Sequence, residues 1–467
     1  MKAHNSRFLR KIPSAAFLIF LIILLAMICT WIIPGGTYEE IVDPLTGISS
    51  INANSYISTD HVSVMPWQIP LILVQSAMKS ISIILLIISG TFMVICCSET
   101  GMFDAIIASL CRRFEGKEST LIVLVTITFS LFGFIVPPQC FIAFTGTIIL
   151  LTISIGYDAI VGLSIVMLGT ACSAISGPIN SITAICQNLV GLPIYSGIGV
   201  RFIAFAILLS VTIIHTLIYG KRIKNDPTKS FMHGIGNPTA DYQDHAKTSR
   251  AINLTDWINL AVVVAVFTVI VIGCTFWGWG TNEISAMMIS CGIIVSVFSK
   301  TDFQSVIKHA NKSVTSVAGM IIIIVMANAI GLILTEGMIV STIIHALSSA
   351  LSILPDFLIP FGVMTLISIL NVIIPSGSAK AVMLMPVLAP IGQIVGMSAQ
   401  TTVLAYTFGD GFSNFIIPHD SCNISYLEAA KIPYPVWVKF MFRLFLWWCL
   451  TGTVILTALY YIGYGPF

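Results

Sequence analysis

A chain of 467 residues that is 57% hydrophobic and 9% charged, with a mean hydropathy of +0.98, falls outside the ordinary soluble class, in which about a quarter of residues are charged. Its formal net charge of +2 selects no partner, and nothing in the pattern points to nucleic acid. The 11 cysteines are an odd number and lie mostly in apolar runs, so they read as small packing residues and not as a disulfide framework.

Residues 1–66 hold a first transmembrane helix, 13–33, and an outer loop. That run is too long for a signal-peptide core, and it continues into Trp31-Ile-Ile-Pro-Gly-Gly instead of a small-residue cleavage site. Residues 67–219 form a first repeat: a span at 79–98, a hairpin at 119–155, a broken helix at 158–190 and a span at 199–219. A polar cytoplasmic linker follows at 220–254, and its lone Gly234-Ile-Gly236 has no preceding strand that would make it a nucleotide site. Two linking spans, 255–276 and 283–299, occupy 255–311. Residues 312–467 form a second repeat: a span at 312–334, a hairpin at 357–395, a broken helix at 398–430 and a last span at 436–463. Each long run approaches the ~20 residues that a helix needs to cross a bilayer. The fold class is therefore an all-α polytopic membrane protein, an inverted repeat with two re-entrant helical hairpins and two broken transmembrane helices.

The cations orient it. With the N-terminus inside and nine crossings, all 22 basic residues except Lys79, Arg201 and Lys380 fall on the cytoplasmic side. The outer connector 35–66 carries Glu39, Glu40, Asp43 and Asp60 and no Lys or Arg. The chain also matches itself at an offset of about 240 residues. Gly169 falls on Gly409, Ser173 on Ser413, Pro178 on Pro418 and Asn180 on Asp420. Inside this orientation the two copies enter from opposite faces, an arrangement found in many secondary transporters.

Irregular backbone survives at membrane depth only around a cavity or within protein. Four such places are expected. Two are the hairpin tips, Pro137-Pro138-Gln139 and Pro375-Ser376-Gly377-Ser378. Two are helix breaks, from Thr170 through Ser173 and Ser176 to Asn180, and from Asp410 through Ser413 and Asn414 to Asp420. A mid-membrane carboxylate must be paired, protonated or metal-bound, which makes Asp410 the sharpest residue. The flanking Gly409 and Gly411 free the backbone there for an unwound turn. Asp410, Ser413 and Asn414 are candidate Na⁺ ligands. Lys380 either binds a substrate carboxylate or neutralises Asp410. His419 and Asp420 either titrate during transport or cap the resuming half-helix. Glu99, Glu336, His215 and His345 read as solvated, and Asn328 as a bridge between helices.

Ile374-Pro-Ser-Gly-Ser-Ala-Lys-Ala, Met385-Pro-Val-Leu-Ala-Pro390 and Ala405-Tyr-Thr-Phe-Gly-Asp-Gly-Phe-Ser-Asn-Phe-Ile-Ile-Pro418 resemble the YfcC-type carriers. These belong to the anaerobic C4-dicarboxylate carrier group of the ion transporter superfamily. The resemblance spans most of the chain. It implies paired re-entrant hairpins, a homodimer, and transport linked to sodium, to protons or to exchange, with no other cofactor. Family members are associated with dicarboxylates or with basic amino acid exchange.

The expected function is thus secondary active transport of a small carboxylate-bearing solute, a C4-dicarboxylate or an amino acid, in the bacterial cytoplasmic membrane. A basic amino acid antiporter is the alternative. No Walker A motif is present to power a pump, and no HExxH pair or nucleophile elbow supports an enzyme. A channel remains the more distant reading.

Overall fold

The computed structural model describes residues 15–42, 49–51, 55–134, 136–235, 251–351, 354–355, 358–374, 377–394 and 396–465. Helix α1 is Ala15–Ile32. The connector after it is not featureless. Strand β1 (Gly35–Thr37) pairs antiparallel with β4 (Ile57–Thr59), and β2 (Glu40–Val42) with β3 (Ser49–Ile51). A purely helical reading missed these ribbons because three-residue strands carry almost no periodic signal.

A 3-10 turn at Pro66–Gln68 leads into α2 (Ile69–Glu99), followed by α3 (Met102–Arg113). Helix α2 starts well before the expected 79. Hairpin one comprises α4 (Glu118–Phe132), a 3-10 segment at Pro138–Phe144 and α5 (Thr145–Ser154). The first broken helix runs through α6 (Ala159–Leu163), a π-helical turn at Ser164–Leu168 and α7 (Gly169–Ser176), then resumes as α8 (Ser181–Leu189). Helix α9 is Ile198–Asn225.

After the linker come α10 (Leu254–Phe276) and α11 (Thr281–Phe298). The start of α10 is fixed by a capping box, in which Asn253 Oδ1 accepts from the Asp256 amide and Asp256 Oδ2 accepts from the Asn253 amide. Helix α12 (Phe303–Glu336) is capped by Asp302 and begins nine residues before the expected 312. Lys308 and Lys312 therefore lie on the helix and not in a connector; Lys312 reaches Glu99 at 2.7 Å. The second half continues with α13 (Ile339–Leu351), hairpin two as α14 (Ile359–Asn371) and α15 (Gly377–Ile394), a second broken helix as α16 (Ala399–Asn414) and α17 (Ser421–Ala430), and α18 (Tyr434–Ile462). The order long helix, short helix, hairpin, broken helix, long helix thus occurs twice.

Among the described residues, seven helical stretches are long and apolar enough to cross a bilayer: Pro66–Glu99, Ala159–Ser176, Ile198–Asn225, Leu254–Cys274, Thr281–Phe298, Phe303–Glu336 and Tyr434–Ile462. Their outward faces expose Ile203, Ile218, Val264, Ile322 and Val454. A surface of this kind drives aggregation in water, whereas lipid solvates it.

Helices α1, α2, α10, α11 and α12 pack together on one side. The hairpins and broken helices pack among themselves and against α9 and α18. The two groups meet where α12 lies against α17 and where α2 lies against the first hairpin tip. Asn328 donates to Ser80 Oγ at 2.8 Å, the expected bridge between helices α12 and α2. His345 is exposed, as expected, but it is not isolated from the rest of the protein. It stacks on Tyr56 at 4.0 Å, and Thr342 donates to the Pro34 carbonyl, so the ribbon is clamped to α13. His215 is also packed, against Phe440. All 11 cysteines are free thiols.

At the other end Asp158 ties the linker down. Its carboxylate accepts from Tyr219 OH and Ser230 Oγ at 2.6 Å each, and from the Val161 amide at 3.1 Å. Burial pushes this carboxyl up from the ordinary aspartate range, against the pull of those hydrogen bonds.

Candidate functional site

The first helix break opens at Gly177, which takes the left-handed conformation (φ +58°) and donates its amide to the Ser173 carbonyl at 3.0 Å. This is the usual way to end a helix, because a Cβ is strained there. The chain turns through Pro178 and Ile179, and Asn180 restarts the helix by accepting from the Ile182 amide at 2.7 Å. The second break runs from Phe415 to His419. There Asp420 restarts the helix by accepting from the Asn423 amide at 2.7 Å. Asn180 and Asp420 are thus the same device in the two halves, an Asx cap on a half-helix at membrane depth.

One expectation fails at Gly409-Asp410-Gly411. The segment is not unwound; it lies inside α16. The glycines serve close packing instead. A Cβ at Gly409 would stand 2.4 Å from the Met364 carbonyl oxygen, and one at Gly411 would stand 2.4 Å from Ile175 Cγ1. The absence of side chains lets α14 press on one side of Asp410 and α7 of the first half on the other.

Asp410 is held by an internal cation. Lys380 Nζ lies 2.7 Å from Asp410 Oδ1, and Lys380 is fully buried while Asp410 is 7% exposed. The same ammonium donates to Asn371 Oδ1 at 2.5 Å. Asn371 then donates through Nδ2 to the Asp410 carbonyl (3.1 Å), to Ser413 Oγ (2.8 Å) and to Asn414 Oδ1 (2.5 Å). Gly377, at the start of α15, lies against this network. Tyr406 OH donates to the Gly377 carbonyl at 2.6 Å, and a Cβ at Gly377 would stand 3.0 Å from Asp410 Oδ2. Ser368 adds a bond to the Gly409 carbonyl at 2.9 Å.

The oxygens expected to hold Na⁺ around Asp410, Ser413 and Asn414 therefore converge on N–H donors that belong to the protein. They do not fit a bare cation in this conformation. Lys380 and Asn371 are the groups that contact Asp410 Oδ1, Ser413 Oγ and Asn414 Oδ1.

The other predicted residues divide. Thr170 Oγ1 turns back to the Val166 and Met167 carbonyls, and Ser176 Oγ to the Cys172 carbonyl, so both satisfy their own helix beside the π turn. Ser173 Oγ donates to the Ser130 carbonyl of hairpin one. Pro137 opens the first tip, Gln139 is half-buried behind it, and the Pro138 carbonyl accepts from Tyr426 OH of the second half at 2.6 Å. Ser378 is exposed, and Ser376 lies outside the described residues. His419 is fully buried, with the Val372 backbone beside it, and neither ring nitrogen makes a well-aligned hydrogen bond. Asp420 caps α17 through one carboxylate oxygen, Oδ1.

Three residues of the site escaped the sequence reading: Asn371, Tyr406 and Arg201. Asn371 was legible as the one amide in the apolar run Ser368–Ile374. Arg201 was legible as an arginine on the wrong side of the positive-inside pattern. Tyr406 carried no such signal. A separate cavity of about 470 Å³ lies between α9 and α18, lined by His215, Tyr219, Arg222, Phe440, Arg443 and Trp447 among others. None of the residues of the ion-pair network lines it.

Paired hairpin tips and broken helices, locked around a buried ion pair within a lipid-facing shell, describe a multi-pass membrane carrier. The chain belongs to the C4-dicarboxylate anaerobic carrier family, whose model matches residues 12–461. Among its relatives is YfcC of Escherichia coli (strain K12), whose name proposes basic amino acid antiport; it is 26% identical over 91% of this chain and 92% of its own length. An uncharacterized Haemophilus influenzae protein is 25% identical over 98% of this chain and 99% of its own. Among solved structures, the YdaH transporter of Alcanivorax borkumensis aligns at a TM-score of 0.46 with 15% identity, covering 97% of this chain and 99% of that one. Neisseria gonorrhoeae MtrF, titled as one of a class of antimetabolite efflux pumps, aligns at 0.44 with 14% identity, covering 96% and 95%.

Proposed function

We propose that this protein is a secondary active transporter that exchanges small carboxylate-bearing solutes, C4-dicarboxylates or amino acids, across the bacterial cytoplasmic membrane. The observation that carries this reading is the Lys380–Asp410 ion pair, buried at the meeting of a hairpin tip and a helix that breaks a few residues later. A buried pair of charges is poor stabilisation by itself. Intramembrane ionisable groups mark solute and ion pathways. The pair sits under a tip that must shift for a solute to enter.

Exchange is favoured over sodium coupling because the expected Na⁺ ligands are filled by Lys380 and Asn371. Solute counterflow in liposomes should accordingly run at the same rate in sodium and in choline media. A strict sodium requirement would overturn this coupling scheme. Basic amino acid antiport is the second reading, supported by the carboxylates of Asp410 and Asp420 and by the name of the E. coli relative. Counterflow of labelled succinate against labelled arginine separates the two.

The halves are read as inverted in the membrane. Their matching element order and the caps at Asn180 and Asp420 support a duplication, and the sidedness of the cations in the sequence supports its inversion. Single cysteines placed in 110–118 and in 344–352 should label from opposite faces; labelling from one face would remove the inverted arrangement.

A further inference from the structure

In the second half of the site the buried cation, Lys380, is paired with Asp410. In the first half the buried cation is not paired. Arg201 sits on α9 one turn from its start, is 1% exposed, and has no acidic partner among the described residues. Its guanidinium reaches into the first helix break, where Nη1 donates to the Ser176 carbonyl at 3.3 Å. Among the described residues Nε and Nη2 donate to nothing. The hydroxyl of Thr183, on the first turn of α8 and fully buried, also has no partner among them.

The two groups converge on one point. A Cβ at Gly177 would stand 2.1 Å from Thr183 Oγ1 and 3.6 Å from Arg201 Nη1. The missing side chain of Gly177 leaves room for the Thr183 hydroxyl and the Arg201 guanidinium together beside the first helix break. The N-terminus of that half-helix adds its positive dipole end.

The bond to Ser176 has a simple structural value, because a cation at the C-terminus of α7 offsets the helix dipole. That role uses one donor, and a lysine would serve it. It leaves a forked pair of charged donors and a hydroxyl buried and idle, which is unfavourable for each of them. A guanidinium fork of this kind matches the two oxygens of a carboxylate.

We propose that Arg201 Nε and Nη2, with Thr183 Oγ1, form the subsite that binds a carboxylate of the transported solute in the first helix break. This rests on the carrier reading above and assigns the anionic end of the solute to the first half, away from Lys380.

The test uses the full-length protein in liposomes and in detergent, with succinate, glutamate and arginine as carboxylate probes and putrescine as a probe without one. The variants are Arg201→Gln, Arg201→Lys and Thr183→Val. For whichever carboxylate probe the wild type exchanges, Arg201→Gln should raise KM about 10- to 100-fold. Thr183→Val should raise it several-fold, and Arg201→Lys should recover only part of the loss. Thermal stabilisation of the wild type by the same probe should vanish in Arg201→Gln, and putrescine should stabilise neither protein.

Wild-type KM in both Arg201→Gln and Thr183→Val would overturn the subsite. So would a loss confined to the stability of Arg201→Gln, with Thr183→Val unchanged in KM, since that is the signature of a helix cap. If the wild type exchanges none of the probes, the carrier reading fails, and the stabilisation arm alone still decides the subsite: carboxylate stabilisation retained in Arg201→Gln, or absent in the wild type, rejects it.

Discussion

Replacing Asp410 by Asn removes the anion but leaves the Lys380 ammonium fully buried, with only amide oxygens and no counter-charge in contact. Breaking a buried pair from one side costs about 3–5 kcal/mol, because the surviving charge has lost its compensation. Lys380→Met makes the converse error with Asp410. The double variant Lys380→Met, Asp410→Asn carries no buried charge and should recover most of the loss. The unfolding entropy of about 2 cal/mol/K per residue makes 1 kcal/mol worth roughly 1 °C in a chain of this length. Each single variant should therefore melt about 3–5 °C below wild type in detergent, and the double variant within about 1–2 °C of it. The coupling energy of the cycle is the quantity sought. Exchange in liposomes should be lost in Asp410→Asn and should stay lost in the stable double variant. Losses that simply add in the double variant would show that the pair does not form. Normal exchange in the double variant would reduce the pair to scaffolding.

Gly409→Ala should destabilise by about 1–3 kcal/mol, since its Cβ would meet the backbone oxygen of Met364. Gly146→Ala, where nothing lies within 4 Å, should instead be neutral or stabilise by about 0.5–1 kcal/mol; parallel melting curves compare them, and equal losses would contradict the close approach of α14 to α16. Asp158→Ala leaves Tyr219 OH and Ser230 Oγ without their acceptor and should speed tryptic cleavage at Lys229, with unchanged cleavage arguing against the clamp. Tyr426→Phe removes the bond to the Pro138 carbonyl and should lower stability by about 1 kcal/mol while altering exchange rate more than KM; an altered KM with an unchanged rate would place Tyr426 on the solute and not on the tip.

The sequence settled the class of molecule and marked the apolar runs that Pro, Gly and Ser interrupt. Apolar run length, Pro and Gly positions and the sidedness of cations are local properties, and each is visible without knowing what touches what. It also marked Asp410 and Lys380, because charge in an apolar run is conspicuous. What the sequence left undecided is contact. Two alternatives for Lys380 stood equal until α15 and α16 placed it 2.7 Å from Asp410. Gly409 and Gly411 look like unwinding signals in isolation and are packing sites only because α14 and α7 press on them. Arg201 was an unexplained cation in the charge count; only the fold brings its guanidinium to Gly177 and Thr183, residues on other helices. Propensity and hydropathy are sums over neighbours in the chain, whereas ion pairs, filled cation sites and idle donors depend on neighbours in space.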